Sequence, residues 1–160
     1  MASRDGDRAV ALSRQLARTH AELRRQIREI RKGLGQRRLS DDVLRTHCLA
    51  FCTALTSHHR GEDDGLFSQL LRERPDLAPT ITKLVEDHGL IASILSRVGE
   101  LADRAVEPRG SALEEIGREL DGLAAIMESH FAYEERTIGE ALDAGEPHPA
   151  WADTVFGIGR

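Results

Sequence analysis

The sequence predicts an all-α protein, an up-down-up-down four-helix bundle followed by a short C-terminal tail. Three observations lead there. Apolar residues recur every three or four positions over four long segments, so each segment carries one apolar stripe along a helix. Glycine and proline fall at the joints between those segments. Aromatic residues make up only 4% of the chain and β-branched runs are scarce, which argues against a sheet.

The 160 residues suit one domain with a substantial core. They divide into a frayed start over 1–8, a bundle over 9–143 and a tail over 144–160. A net charge of −5 gives no support for nucleic acid or an anionic membrane as a partner. No apolar run approaches the roughly 20 residues of a membrane span. The stretch from Met1 to Arg8 is too polar for a signal peptide. Cys48 and Cys52, four apart on a helix, are badly placed for a disulfide and lack a metal-binding Cys-x-x-Cys pattern. They read as reduced, partly buried thiols, which places the protein in the cytoplasm.

The first helix runs from about Arg8 to Lys32 on Leu12, Leu16, Leu23, Ile27 and Ile30, with His20 filling the gap after Leu16. Its arginines (Arg24, Arg25, Arg28, Arg31) and Lys32 form the solvated side, and Gly33 and Gly35 are expected to stop it. Ser40 is the expected N-cap of the second helix. That stripe reads Leu44, Cys48, Phe51, Leu55, His58, Glu62, Leu66 and Leu70. Gly61 and Gly65 interrupt it at a cost of roughly 1 kcal/mol each relative to Ala. They are either tolerated weak spots or the place where a neighbour packs close.

Arg74-Pro75 ends the second helix, and Pro79 suits the first turn of the third. The third stripe is Ile81, Leu84, His88, Ile91, Leu95, Val98 and Leu101 or Ala102. A loop over 104–111 leads to Ser111, with Glu114 three residues on, a capping-box pair. The fourth stripe is Leu113, Ile116 or Gly117, Leu120, Leu123, Met127, His130, Glu134 and Ile138. The tail carries Trp151, Val155, Phe156 and Ile158, and is expected to cover a bundle end or a partner chain.

Each of the four stripes therefore holds a histidine, and two hold a glutamate one turn further on: His58 with Glu62, and His130 with Glu134. Spacing of four puts both side chains on one helix face. A glutamate in a bundle seam is costly to desolvate unless it is paired or metal-bound. Six such groups, His20, His58, Glu62, His88, His130 and Glu134, fit a pair of cations that neutralise the carboxylates and occupy the imidazole lone pairs. Imidazole with carboxylate and no thiolate suits iron, manganese or zinc. The Glu-x-x-His pair of ferritin-like proteins and the His-Glu-x-x-His of metalloproteases are both absent.

This arrangement, with the run His58-His59-Arg60-Gly61-Glu62-Asp63-Asp64-Gly65-Leu66-Phe67, resembles the haemerythrin-like (HHE) cation-binding domain. The resemblance implies a bundle around two iron ions with a bridging oxo or hydroxo group. His20 and His58 would hold one iron, His88 and His130 the other, and Glu62 and Glu134 would bridge. It departs from the oxygen carriers in having Leu84 and Ala92, not histidine, one turn either side of His88. His59 is read first as a surface histidine or a brace for a ligand, and second as a substitute ligand. His47, His148 and Tyr133 are read as lying off the seams.

With fewer histidines the resemblance implies a centre that binds or turns over small oxidants: hydrogen peroxide, O2 or NO. The chemistry would lie at the metals, with no protein side chain singled out as catalytic. The competing expectations are a non-catalytic O2 or iron binding and sensing module, and a plain helical interaction domain with structural histidines. A small diatomic or peroxide ligand is the expected partner, and a homodimer is left open.

Overall fold

The computed structural model describes residues 10–36, 41–104 and 111–159. Its helices are α1 (Leu12–Gln36), α2 (Asp41–Gly61), α3 (Phe67–Glu73), α4 (Ala78–Arg104), α5 (Ser111–Ala144) and the short α6 (Ala152–Phe156). A π-helical turn, Glu62–Leu66, joins α2 to α3, and 3-10 turns lie at Pro75–Leu77 and Gly157–Gly159. No strand occurs among the described residues. The expected frayed start at 1–8, the Ser40 cap and most of the 104–111 loop lie outside them.

Helix α1 packs on α2 and α5, and α4 packs on α2 and α5, so the four long helices close a ring around one interior. That interior holds two apolar clusters. One joins Leu23 and Ile27 of α1, Phe51 and Leu55 of α2, Ile91 and Val98 of α4, and Leu120 and Met127 of α5. The other joins Leu12 and Leu16 of α1, Leu66 and Leu70 beyond α2, Ile81 and Leu84 of α4, and Ile138 and Leu142 of α5. Each fully buried Leu or Ile contributes roughly 1.5–3 kcal/mol. On every long helical stretch the polar seam residues fall between the two clusters, and they too are buried.

Three local features differ from the expectation or refine it. Helix α1 continues past Gly33 and Gly35 to Gln36, because Leu34 still packs on the first cluster and outweighs the helix cost of two glycines. The second helix is not uniform: the Phe67 N–H bonds the carbonyl of Glu62, five residues back, and this widened turn buries Leu66 and Phe67 together. Arg74, at φ −137° and ψ 76°, ends α3 in extended backbone ahead of Pro75.

The C-terminal segment lies on the bundle. Trp151, Val155 and Phe156 are buried in the second cluster. A Cβ added to Gly65 would stand 2.6 Å from Cβ of Trp151, and one added to Gly61 would stand 2.9 Å from Cγ2 of both Thr154 and Val155. Both glycines therefore sit where the returning chain packs against bare helix backbone, and the close-neighbour reading holds.

The arginines of α1 face water and pair with α5 at Arg24–Glu128 and Arg31–Asp121, each 2.9 Å. Such exposed pairs are worth about 0–1 kcal/mol. Cys48 and Cys52 are free, and burial pushes their thiols up to about 12 and about 11. They pack with the first apolar cluster and belong to neither group of candidate metal ligands among the described residues. Among the described residues no helix is long and apolar enough to cross a membrane.

Candidate metal centre

Four long helical stretches each send a histidine into the layer between the apolar clusters: His20 from α1, His58 from α2, His88 from α4 and His130 from α5. Glu62, opening the π-helical turn, and Glu134 on α5 are both fully buried. All six residues named from the stripes therefore come together. His59 joins them at 5% exposure, contrary to its reading as a surface histidine. Helical geometry accounts for its arrival. Glu62 stands four residues after His58 and three after His59, so its carboxylate lies on the face between the two rings.

These side chains form two groups of facing ligand atoms. His20, His58, Glu62 and Glu134 make one; His59, Glu62, His88 and His130 make the other; within each, the atoms all lie within 4.8 Å of one another. Ligands about 2.1 Å from one ion stand up to about 4.2 Å apart across it, so the spread is close to that of a single coordination shell. Each glutamate spans the groups. Glu62 Oε1 is 3.5 Å from His58 Nε2 and 3.3 Å from His88 Nε2. Glu134 Oε1 is 3.6 Å from His20 Nε2, and its Oε2 is 3.2 Å from His130 Nε2.

The imidazoles are oriented from behind. The Nδ1–H of His20 donates to Glu135 (3.0 Å), that of His88 to Asp63 (2.7 Å) and that of His130 to Asp87 (3.1 Å). The Nδ1–H of His58 donates to the carbonyl of Val155 (2.8 Å). With Nδ1 protonated, each Nε2 lone pair points inward, the tautomer a metal ligand needs. Ring contacts fix the planes: His20 stacks on Phe131 and His59 on His88, each at 3.8 Å between centroids.

What this layer lacks is partners for its inward atoms. Nε2 of His20, His58 and His59 and all four carboxylate oxygens of Glu62 and Glu134 are buried without a hydrogen bond. The short Nε2–Nε2 approach of His88 and His130, 3.1 Å, sets two inward-facing ring nitrogens against each other. Buried polar atoms in folded proteins are almost always satisfied. Seven orphans in one place, all good ligand atoms for a first-row divalent cation, fit a bound metal pair.

The electrostatics carry the same conflict. Burial, then the facing charge of Glu134, drives the Glu62 carboxyl well above its usual range. Burial opposes the charge of Glu134 too, yet the facing Glu62 and then His130 hold it well below the usual range. The two facing carboxyls are thus pushed in opposite directions, as two like charges confined to one buried site are. Burial and neighbouring imidazoles drop His58 to about 3 and His59 well below normal, so both rings are neutral and free to bind. His130 is raised: burial lowers it, but Glu134 and Asp87 outweigh that.

The chain matches the model of the hemerythrin HHE cation binding domain over residues 11–142. It belongs to that family. The family's domain is a cation-binding one, and this hemerythrin-family chain has a buried His/Glu cluster that could hold the ions. No curated protein and no solved structure matches it.

The remaining histidines lie elsewhere. His47 is exposed on α2, and His148 Nδ1 accepts from the N–H of Ala150 in the turn before α6. Tyr133 packs at the edge of the second cluster under Lys83 and Arg136, at 5.4 and 5.7 Å from its ring, outside both ligand groups. Sequence reasoning passed over the bracing acids Asp63, Asp87 and Glu135. Each stands next in sequence to a seam residue, in Glu62-Asp63, Asp87-His88 and Glu134-Glu135, and that doubling was the available signal.

Proposed function

We propose that this hemerythrin-family protein holds two iron ions in the polar layer and binds or turns over small oxidants, namely hydrogen peroxide, O2 or NO. His20 and His58 serve one ion, His59, His88 and His130 the other, and Glu62 and Glu134 reach both. The observation that carries this reading is the set of seven orphaned ligand atoms at the meeting point of the helices. Mixed imidazole and carboxylate donors without thiolate favour iron, with manganese or zinc as the other metals such a set accepts. Bound there, a redox-active pair would supply electron transfer and Lewis acidity to a small ligand.

The chain's own part is to hold, orient and exclude. Asp63, Asp87 and Glu135 accept from the Nδ1–H of three rings and fix their orientation. Leu16, Leu55, Leu84, Ile91 and Met127 wall the layer with fully buried apolar surface, which keeps bulk water out and admits only small molecules. Helices α1 and α4 pass from the second apolar cluster to the first, and α2–α3 and α5 pass the other way, which supports the up-down-up-down reading of the bundle. Free, protonated thiols support a reducing compartment, the cytoplasm.

A second reading has its own support. Seven ligand residues, all at most 5% exposed, suit retention of a small ligand or of iron without turnover, as in an O2 or iron binding and sensing module. Iron-loaded protein separates the two. Turnover predicts that hydrogen peroxide is consumed over many equivalents and that His58→Ala or Glu134→Ala abolishes consumption. Peroxide that survives, with a reversible spectral change as oxygen is cycled, supports the binding module instead.

A further inference from the structure

Three of the inward-pointing rings are braced by carboxylates within the bundle; His58 is braced by the tail. Helix α6 is only five residues long, and in its last turn the carbonyl of Asp153 accepts from the N–H of Gly157. Two carbonyls near its end meet the polar layer: Val155 O accepts from His58 Nδ1 at 2.8 Å, and Phe156 O lies 3.3 Å from Thr19 Oγ1, whose hydroxyl it shares with the carbonyl of Gln15 at 3.1 Å. Thr19 is the residue before His20, so both contacts fall on the same ligand group. The segment is also anchored at a distance. The Trp151 indole N–H donates to Gln69 at 3.0 Å, and Gln69 Nε2 donates back to the carbonyl of Glu146 at 3.0 Å.

The helix beneath has been shaped to receive it. Gly61 and Gly65 flank Glu62, each a poor helix former, and each leaves room only for a tail residue. A tail serving only as a cover for apolar surface would need the glycines but would not need the Val155 carbonyl aimed at a histidine.

We propose that residues 146–156 are a working part of the metal centre: Val155 positions the His58 ring through its carbonyl, so that docking of the tail and metal binding at the His20–His58 group reinforce each other. This rests on the metal-binding reading above. His58 without its acceptor is free to change tautomer and to swing, and loses its preset Nε2 lone pair. Bracing partners of this kind are worth about 10–100-fold in metal affinity. Coupling of two binding events is reciprocal, so metal at this group tightens the tail in turn.

Zinc is the probe, because it is redox-silent, and Trp151 is the reporter, because it is the chain's one tryptophan. Adding zinc to the full metal-free chain is expected to shift Trp151 emission to shorter wavelength and to slow proteolysis within 146–160. Truncation after Gly145 is expected to speed release of one zinc to a chelator at least about tenfold and leave the other unchanged. Gly65→Ala, which displaces Trp151 without touching a ligand, gives the same split in a full-length chain and decides the matter if the truncated protein misfolds.

Equal release of both zinc ions from the full chain and from Gly65→Ala overturns the proposal, as does Trp151 emission that ignores zinc. A full chain that binds no metal at all fails the metal-binding reading itself, a separate result.

Discussion

A buried polar atom left without a partner costs about 1–3 kcal/mol, and more when charged, yet Glu62 and Glu134 bring four such oxygens into one layer. The metal-free protein bears that cost in its pH dependence. The folded pKa of Glu62 lies above its unfolded value of 4.5, so its contribution is intact below pH 4.5 and is lost as pH rises through the folded value. His58 works in the other direction. Its folded value of about 3 lies below 6.5, so stability present above pH 6.5 is lost as pH falls towards 3, and His59 follows the same sign. Thermal melts of metal-free protein are expected to fall in Tm from pH 6.5 downwards. His59→Phe, which keeps the stacking on His88, should flatten that fall; an unchanged slope would mean that His59 is not buried neutral. Glu62→Gln is expected to melt no lower than wild type when metal-free and to lose metal binding, measured by melting and metal analysis side by side. The six stripe residues were legible in the sequence because spacing of four places His58 over Glu62 and His130 over Glu134. His59 was harder to see, since it is one step, about 100°, round the helix from His58 and comes inward only because Glu62 lies between the two.

At the scale of elements, the second helical stretch and the tail depend on each other. Gly65→Ala puts a Cβ 2.6 Å from Trp151 and is expected to destabilise the fold by about 1–3 kcal/mol, the usual range for overpacking. Gly122, on α5, has open space where a Cβ would go, so Gly122→Ala should instead stabilise by about 0.5–1 kcal/mol. Chemical denaturation of the two variants checks the opposite signs. Helix positions were readable from the stripes, with Pro75 and Pro79 marking one joint. The continuation of α1 through Gly33 and Gly35 was not, because glycine stops a helix only when nothing beyond it is worth packing, and Leu34 is. Nor was the π-helical turn at Glu62: a widened turn leaves the spacing of apolar residues almost unchanged, and it follows from Leu66 and Phe67 both finding buried positions.

In the molecule as a whole, two apolar clusters are held apart by a polar layer that neither can absorb. Metal binding to the folded state alone stabilises it by mass action, about 4 kcal/mol at a thousandfold excess over the dissociation constant. For a chain of this size that corresponds to a rise in Tm of roughly 8–16 °C, reversed by a chelator. The tail's apolar character was plain from Trp151, Val155 and Phe156, but its destination was not, since Gly61 and Gly65 have meaning only once the chain returns to cover them. The most direct measurement is the metal content of purified chain reconstituted with iron, manganese or zinc. The account predicts two ions per chain, falling below one when Glu62 and Glu134 are both replaced by alanine. A reconstituted wild-type chain with no bound metal, or one whose metal content ignores that double replacement, would contradict it.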